Sequence, residues 1–117
     1  MGSMSDCVFC KIAAGEIPAE KIYEDNNFVA FLDIKPVAPN HALLIPKAHH
    51  RWFYDLPETL YIDMFQVVKK LSHEMKEKHG ADYIRLGIVG TDVPHTHIHL
   101  IPLKLEEKGK HPRVSEI

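Results

Sequence analysis

Three histidines at alternate positions, His95, His97 and His99, stand in a run whose other members are Thr96, Ile98, Leu100 and Ile101. Successive side chains of an extended chain point to opposite faces, so the three imidazoles emerge together on one side. Imidazoles grouped in this way can hold a catalytic metal, or can supply a nucleophile and proton-transfer partners whose pKa values lie near neutrality. Spacing alone leaves both open. A second group is Cys7 and Cys10, spaced Cys-x-x-Cys in a chain with two cysteines and nine histidines. That spacing points to a metal or redox role over a structural disulfide, and the wealth of histidine favours metal.

The elements that must position these residues follow from local pattern. Residues 7–14 are expected to form a short helix closed by Gly15, with Pro18 beyond it. Lys21–Glu24 and Asn27–Asp33 read as a β-hairpin turning at Asp25-Asn26, with Phe28, Ala30 and Leu32 on one face. Pro36 and Pro39 make the next stretch an extended loop into a third strand, residues 41–46, so that His41 sits where loop becomes strand. Asp55 with Glu58 three residues on predicts the start of one long helix. Leu60, Met64, Val68, Leu71 and Met75 recur along it at helical spacing, and Gly80 stops it. Tyr83–Val89 and Thr96–Ile101 read as the last two strands, joined through Gly90-Thr91-Asp92 and Pro94. With too few crossovers for a parallel sheet, this order predicts an α+β fold: an antiparallel sheet of about five strands, one long and one short helix, and helices on one side.

Composition narrows the partners. A chain of 117 residues supports one hydrophobic core, and 14 Lys and Arg against 16 Asp and Glu exert no pull on nucleic acid or anionic membranes. The longest apolar runs, such as Ala42-Leu43-Leu44-Ile45, fall far short of a membrane span, and no secretory signal opens the chain. The expectation is a soluble cytoplasmic protein that handles a small molecule. Met1-Gly2-Ser3 ahead of a second Met4 reads as an expression-tag remnant, leaving a domain over 4–103 and a polar tail over 104–117. His73, His79 and His111 are expected to be solvated, and Trp52 and Phe53 to serve packing.

The run His95-Thr96-His97-Ile98-His99-Leu100-Ile101 resembles the His-x-His-x-His-x-x signature of the histidine-triad (HIT) superfamily. The resemblance extends in order through Cys7-Val8-Phe9-Cys10-Lys11-Ile12, Tyr23-Glu24-Asp25, Ala30-Phe31-Leu32-Asp33-Ile34, Ala38-Pro39-Asn40-His41 and Leu44-Ile45-Pro46-Lys47-Ala48-His49, covering about residues 7–103. It implies a HIT-like fold, a homodimer, and hydrolysis or transfer at the α-phosphate of purine nucleotide conjugates. Adenosine phosphoramidates are the first substrate guess and dinucleoside polyphosphates the second. By the same resemblance His97 would be the nucleophile that forms a nucleotidyl-histidine, with His99 and His41 orienting it, contacting phosphate and relaying protons. Asp33 would accept from ribose hydroxyls, and Ile34, Phe9 and Ile12 would wall the base. Cys7, Cys10, His49 and His95 match the four ligands of a structural zinc in one branch, with His50 as the rival ligand.

The match departs from the family just before the triad. Many members carry Gly-Gln-Ser or Gly-Gln-Thr there, whereas this chain has Gly90-Thr91-Asp92, and the segment from Leu86 to Gly90 is short. Asp92 thus stands at a nucleotide-binding position as an acid in place of a neutral donor, and an ionised carboxylate beside phosphate is repulsive unless it points away or is paired. Two other functions compete with the hydrolase: a nucleotide-binding regulatory module with little turnover, and a zinc hydrolase using His95, His97 and His99 as metal ligands around an open water position.

Overall fold

The computed structural model describes residues 6–107. The tag remnant, most of the polar tail and His111 lie outside the described residues. A short helix α1 (Val8–Ala13) leads into strands β1 (Lys21–Glu24), β2 (Phe28–Leu32) and β3 (Ala42–Pro46). A 3-10 turn (Phe53–Asp55) then precedes the long helix α2 (Glu58–His79), followed by β4 (Tyr83–Ile88), β5 (Ile98–Leu103) and a second 3-10 turn (Leu105–Glu107). The strands form one antiparallel sheet in the order β1-β2-β3-β5-β4, which makes the histidine-bearing strand a central one. Elements of the predicted α+β kind are present in the predicted order.

The sheet is covered on both faces, which corrects the one-sided arrangement expected from the sequence. Phe28, Ala30, Ala42, Leu44, Ile98 and Leu100 pack against Met64, Val67, Val68, Leu71 and Met75 of α2. Val29, Phe31, Leu43 and Ile45 of the opposite face pack against Cys7, Phe9 and Ile12 of the α1 region. The physical reason lies in β2 and β3, which are apolar at nearly every position and therefore need cover on both sides. Met64 and Leu71 are almost wholly removed from water, each contributing roughly 1.5–3 kcal/mol to folding.

The start of the long helix and the start of the last strand differ from the sequence reading. Asp55 does not cap the long helix: it lies in the 3-10 turn, and Pro57 occupies the cap with no side-chain bond. Proline's fixed φ suits that position, and Glu58 supplies the acid of the first turn. At the other end Gly80 adopts φ 64° and its N–H reaches Lys76 O, as the stop signal required. The last strand runs Ile98–Leu103, not from Thr96. Upstream of Ile98 the backbone bonds leave the sheet, with His95 N–H donating to Val93 O (2.8 Å) and Thr96 N–H to His50 O (2.6 Å). Pro102 is tolerated in this central strand because pairing to β3 ends at Leu100, so the side without an amide faces no ladder partner.

Candidate active site and metal cluster

The alternation read from the triad survives although its first half precedes the strand. Ile98 and Leu100 enter the α2 core, while His97 and His99 lie side by side with ring centroids 5.1 Å apart. Phe9 of α1 meets His97 edge-on at 5.1 Å and His95 at 6.0 Å, so the triad faces the short helix. His41, His95, His97 and His99 are all buried, with 1%, 0%, 6% and 6% exposure. Burial disfavours the charged ring: His41 and His97 are held below the ordinary histidine range, His95 is pushed down to about 4 and His99 to about 3. These imidazoles are neutral at neutral pH.

Hydrogen bonds then fix which nitrogen carries each proton. A carbonyl can only accept, so the 2.7 Å bond from His97 Nδ1 to His95 O puts the proton on Nδ1 and leaves the Nε2 lone pair free. Val37 N–H donates to His41 Nδ1 (3.2 Å), so His41 carries its proton on Nε2. That N–H donates to His99 Nδ1 at 2.8 Å, which makes His99 Nε2 a donor. Asn40, at φ 66°, supplies the left-handed turn that feeds His41 into this position. Asp33 accepts Lys35 N–H on Oδ1 (2.9 Å) and sets Oδ2 3.7 Å from His41 Nε2. Its charge favours the protonated forms of His41 and His97, opposing burial.

The remaining predicted residues divide. Phe9 and Ile12 are buried beneath the triad face, whereas Ile34, next to Asp33, is 92% exposed. Asp92 is exposed, and its charge too favours a protonated His97. Sequence reasoning did not single out Phe31, which meets Phe9 edge-on at 5.6 Å; its place in the alternation of β2, opposite Phe28 and Ala30, was the available signal. It also missed Thr96, whose N–H and hydroxyl both donate to His50 O, at 2.6 and 2.7 Å.

Cys7, Cys10, His49 and His95 converge. Their donor atoms lie within 4.8 Å of one another, with Cys10 Sγ 3.1 Å from His49 Nδ1 and both sulfurs 3.4 Å from His95 Nδ1. Cys7 is the N-cap of α1 and its sulfur accepts Cys10 N–H (3.4 Å), which turns both thiols to the same side. His95 Nε2 donates to Pro46 O (2.8 Å), so Nδ1 presents its lone pair to the sulfurs, as a metal ligand must. Burial and the neighbouring Cys7 push the Cys10 thiol up to about 11. His50 contributes its carbonyl to Thr96 and its ring takes no part in the cluster.

The other metal reading fails on the distances between its donors. Among the described residues His95, His97 and His99 do not form a metal-capable group. Asp33, His41 and His99 are close enough, yet Val37 N–H occupies His41 Nδ1, so Nε2 is protonated and has no lone pair for an ion.

A five-stranded antiparallel sheet in which a central strand and the segment leading into it present alternate histidines to a short helix, beside a Cys-x-x-Cys cluster, is a histidine-triad domain. The HIT domain family model matches residues 14–106, and the chain belongs to that family. It is 39% identical over 118 aligned positions to an adenosine 5′-monophosphoramidase of Candida albicans, covering 93% of this chain and 78% of that protein. It is 37% identical over 105 positions to an adenylylsulfatase of Arabidopsis thaliana, covering 86% of this chain and 53% of that one. Among solved structures, a zinc-bound histidine triad family protein from Mycobacterium smegmatis superposes with TM-score 0.83 at 34% identity, covering 90% and 80% of the two chains.

Proposed function

We propose that this chain hydrolyses or transfers the nucleotidyl group of purine nucleotide conjugates at the α-phosphate, with adenosine phosphoramidates as first substrates and dinucleoside polyphosphates as second. The observation that carries the reading is the 2.7 Å bond from His97 Nδ1 to His95 O, which leaves a neutral ring with its Nε2 lone pair directed away. A neutral imidazole is a competent nucleophile near pH 7, and its phosphoramidate adduct is labile enough to turn over. His97 Nε2 attacks the α-phosphorus, and the bond to the leaving group breaks with its electron pair going to that group. His99 Nε2–H, fixed as a donor by His41, points its proton toward the phosphoryl oxygens or the departing amine. Water then attacks the same phosphorus and returns a proton to His99, and the bond from phosphorus to His97 Nε2 breaks with its electron pair going back to the ring, releasing the nucleotide.

Asp33 keeps His41 in register and offers lone pairs to ribose hydroxyls, while Phe9, Ile12 and the exposed Ile34 give the base apolar surface. Cys7, Cys10, His49 and His95 would hold a structural zinc, and the ion would supply folding free energy and favour the thiolate form of the two cysteines. The free thiols suit a reducing compartment such as the cytoplasm. β4 is an edge strand with Leu86 exposed, which suits a homodimer formed by edge-to-edge pairing of two sheets.

The test is mass spectrometry of the protein and of His97→Ala after brief mixing with an adenosine phosphoramidate, followed by steady-state release of AMP. A transient nucleotidyl adduct and turnover, both absent from the variant, are the expected result. Binding of AMP by both proteins with neither adduct nor turnover would overturn the enzyme reading in favour of a nucleotide-binding module.

A further inference from the structure

The loop that approaches the triad is fastened at both ends, and it carries a charge. At one end Arg51 Nε donates to Gly90 O (3.2 Å) and Trp52 packs so tightly over Gly90 that a Cβ there would lie 3.2 Å from two atoms of its ring. The clamp is itself braced, because the Arg51 guanidinium sits 4.6 Å over the Trp52 ring and Trp52 stacks on Tyr54 at 2° and 6.3 Å. At the other end Val93 joins the apolar cluster under α1, and its carbonyl accepts His95 N–H. Only Thr91 and Asp92 are left between the fixed points, and both are exposed. No cation among the described residues pairs with Asp92. Val93, next in the chain, packs against the cluster that contains Phe9, whose ring meets His97 at 5.1 Å, so Asp92 flanks the approach to His97. The approach to His97 therefore has a negative wall.

We propose that Asp92, held at the triad by the clamp of Arg51 and Trp52 on Gly90, selects the leaving group: neutral or cationic amines are favoured, and anionic leaving groups are turned away. The inference rests on the nucleotidyl-transfer reading of the same site. When His97 Nε2 bonds to the α-phosphorus, the bond from phosphorus to the leaving group breaks and that group takes the electron pair. A phosphoramidate nitrogen takes the proton of His99 Nε2–H as the bond breaks and departs as a neutral amine, which an adjacent carboxylate does not repel and, where the amine carries a positive charge elsewhere, attracts. A sulfate or a phosphate departs as an anion against the same carboxylate. The extra negative charge of adenylyl sulfate or of a dinucleoside polyphosphate is repelled both on binding and on departure. At the dielectric of a partly exposed site one such charge pair changes rates or affinities roughly 5- to 30-fold.

The experiment compares kcat/KM for an adenosine phosphoramidate of an uncharged amine with kcat/KM for adenylyl sulfate, in the protein, in Asp92→Asn and in Arg51→Ala. Asp92→Asn keeps shape and removes charge, so the ratio should move about 5- to 30-fold toward adenylyl sulfate. Raising the salt concentration should narrow the difference between the two proteins. Arg51→Ala, which frees the loop, should move the ratio the same way by less, whereas a merely structural loss would lower both substrates equally. A parallel binding arm measures the affinities for ADP and AMP by calorimetry, since the β-phosphate of ADP occupies the side of the leaving group. Asp92→Asn should tighten ADP relative to AMP by a similar factor. Unchanged ratios in both arms would overturn the proposal. A protein that turns over neither conjugate refutes the enzymatic reading alone, and the ADP-to-AMP ratio still decides the role of Asp92.

Discussion

Gly90→Ala should destabilise the protein by about 2–3 kcal/mol, and about 1 kcal/mol of that cost should depend on one neighbour. Gly90 has φ 98°, and an L-residue held there loses roughly 1–2 kcal/mol of backbone energy. The added methyl would also sit 3.2 Å from two Trp52 ring atoms and 3.3 Å from Arg51 O, inside the usual 3.5–4.0 Å separation, which adds about 1 kcal/mol when the ring must yield. Equilibrium denaturation of the four proteins in a cycle with Trp52→Leu separates the two parts. In the Trp52→Leu background Gly90→Ala should cost only about 1–2 kcal/mol, leaving a coupling energy near 1 kcal/mol. Because the loop runs directly into the triad, kcat/KM for an adenosine phosphoramidate should fall roughly tenfold in Gly90→Ala. A cost below about 0.5 kcal/mol, or equal costs in the two backgrounds, would refute the clamp.

Two further outcomes follow from the buried donors. Purified protein should carry about one zinc per chain by elemental analysis, and chelation or Cys10→Ser should lower the melting temperature by more than about 10 °C; a metal-free protein that melts at the same temperature as a zinc-supplemented one counts against the site. Stability should also fall with acid, since burial pushes His99 down to about 3, below the ordinary histidine value near 6.5. The unfolded chain takes up the proton first as pH drops, so the contribution of His99 is complete above about pH 6.5. It is lost progressively toward pH 3, by an amount on the order of a few kcal/mol, and the lowered carboxyl of Asp25 adds its own loss at the acid end of that range. Denaturation midpoints that stay flat between pH 6.5 and 4.5 contradict this.

The helix of 22 residues was legible because one period of 3.6 ran through it, and the hairpin because polar Asp25-Asn26 separates two strand-forming runs. The triad was legible from its period too, three identical side chains at period 2. What the pattern concealed was mutual. Continuous apolarity in β2 and β3 cannot say that a second layer exists, so the seat of α1 against Val29, Phe31, Leu43 and Ile45 had to come from three dimensions. The two-residue shift at the start of the last strand has a similar origin, since Thr96 pairs with His50 across 46 positions and no local signal records it. The Cys-x-x-Cys pair was read from its spacing and His49 from the resemblance, whereas the tautomers of His41 and His97 follow from backbone atoms of Val37 and His95 that no side-chain motif contains.

His95 offers its ring to the sulfurs and its carbonyl to His97. The atom that orients His97 belongs to the main chain, so it is present whatever residue occupies position 95. The two duties are thus inheritable separately: a lineage or an engineer can dismantle the metal cluster by changing the ring at 95 and still retain the proton arrangement at 97, provided that the backbone keeps its course. Structural reinforcement and chemistry share one residue here without sharing a side chain, which lets either be revised without rewriting the other.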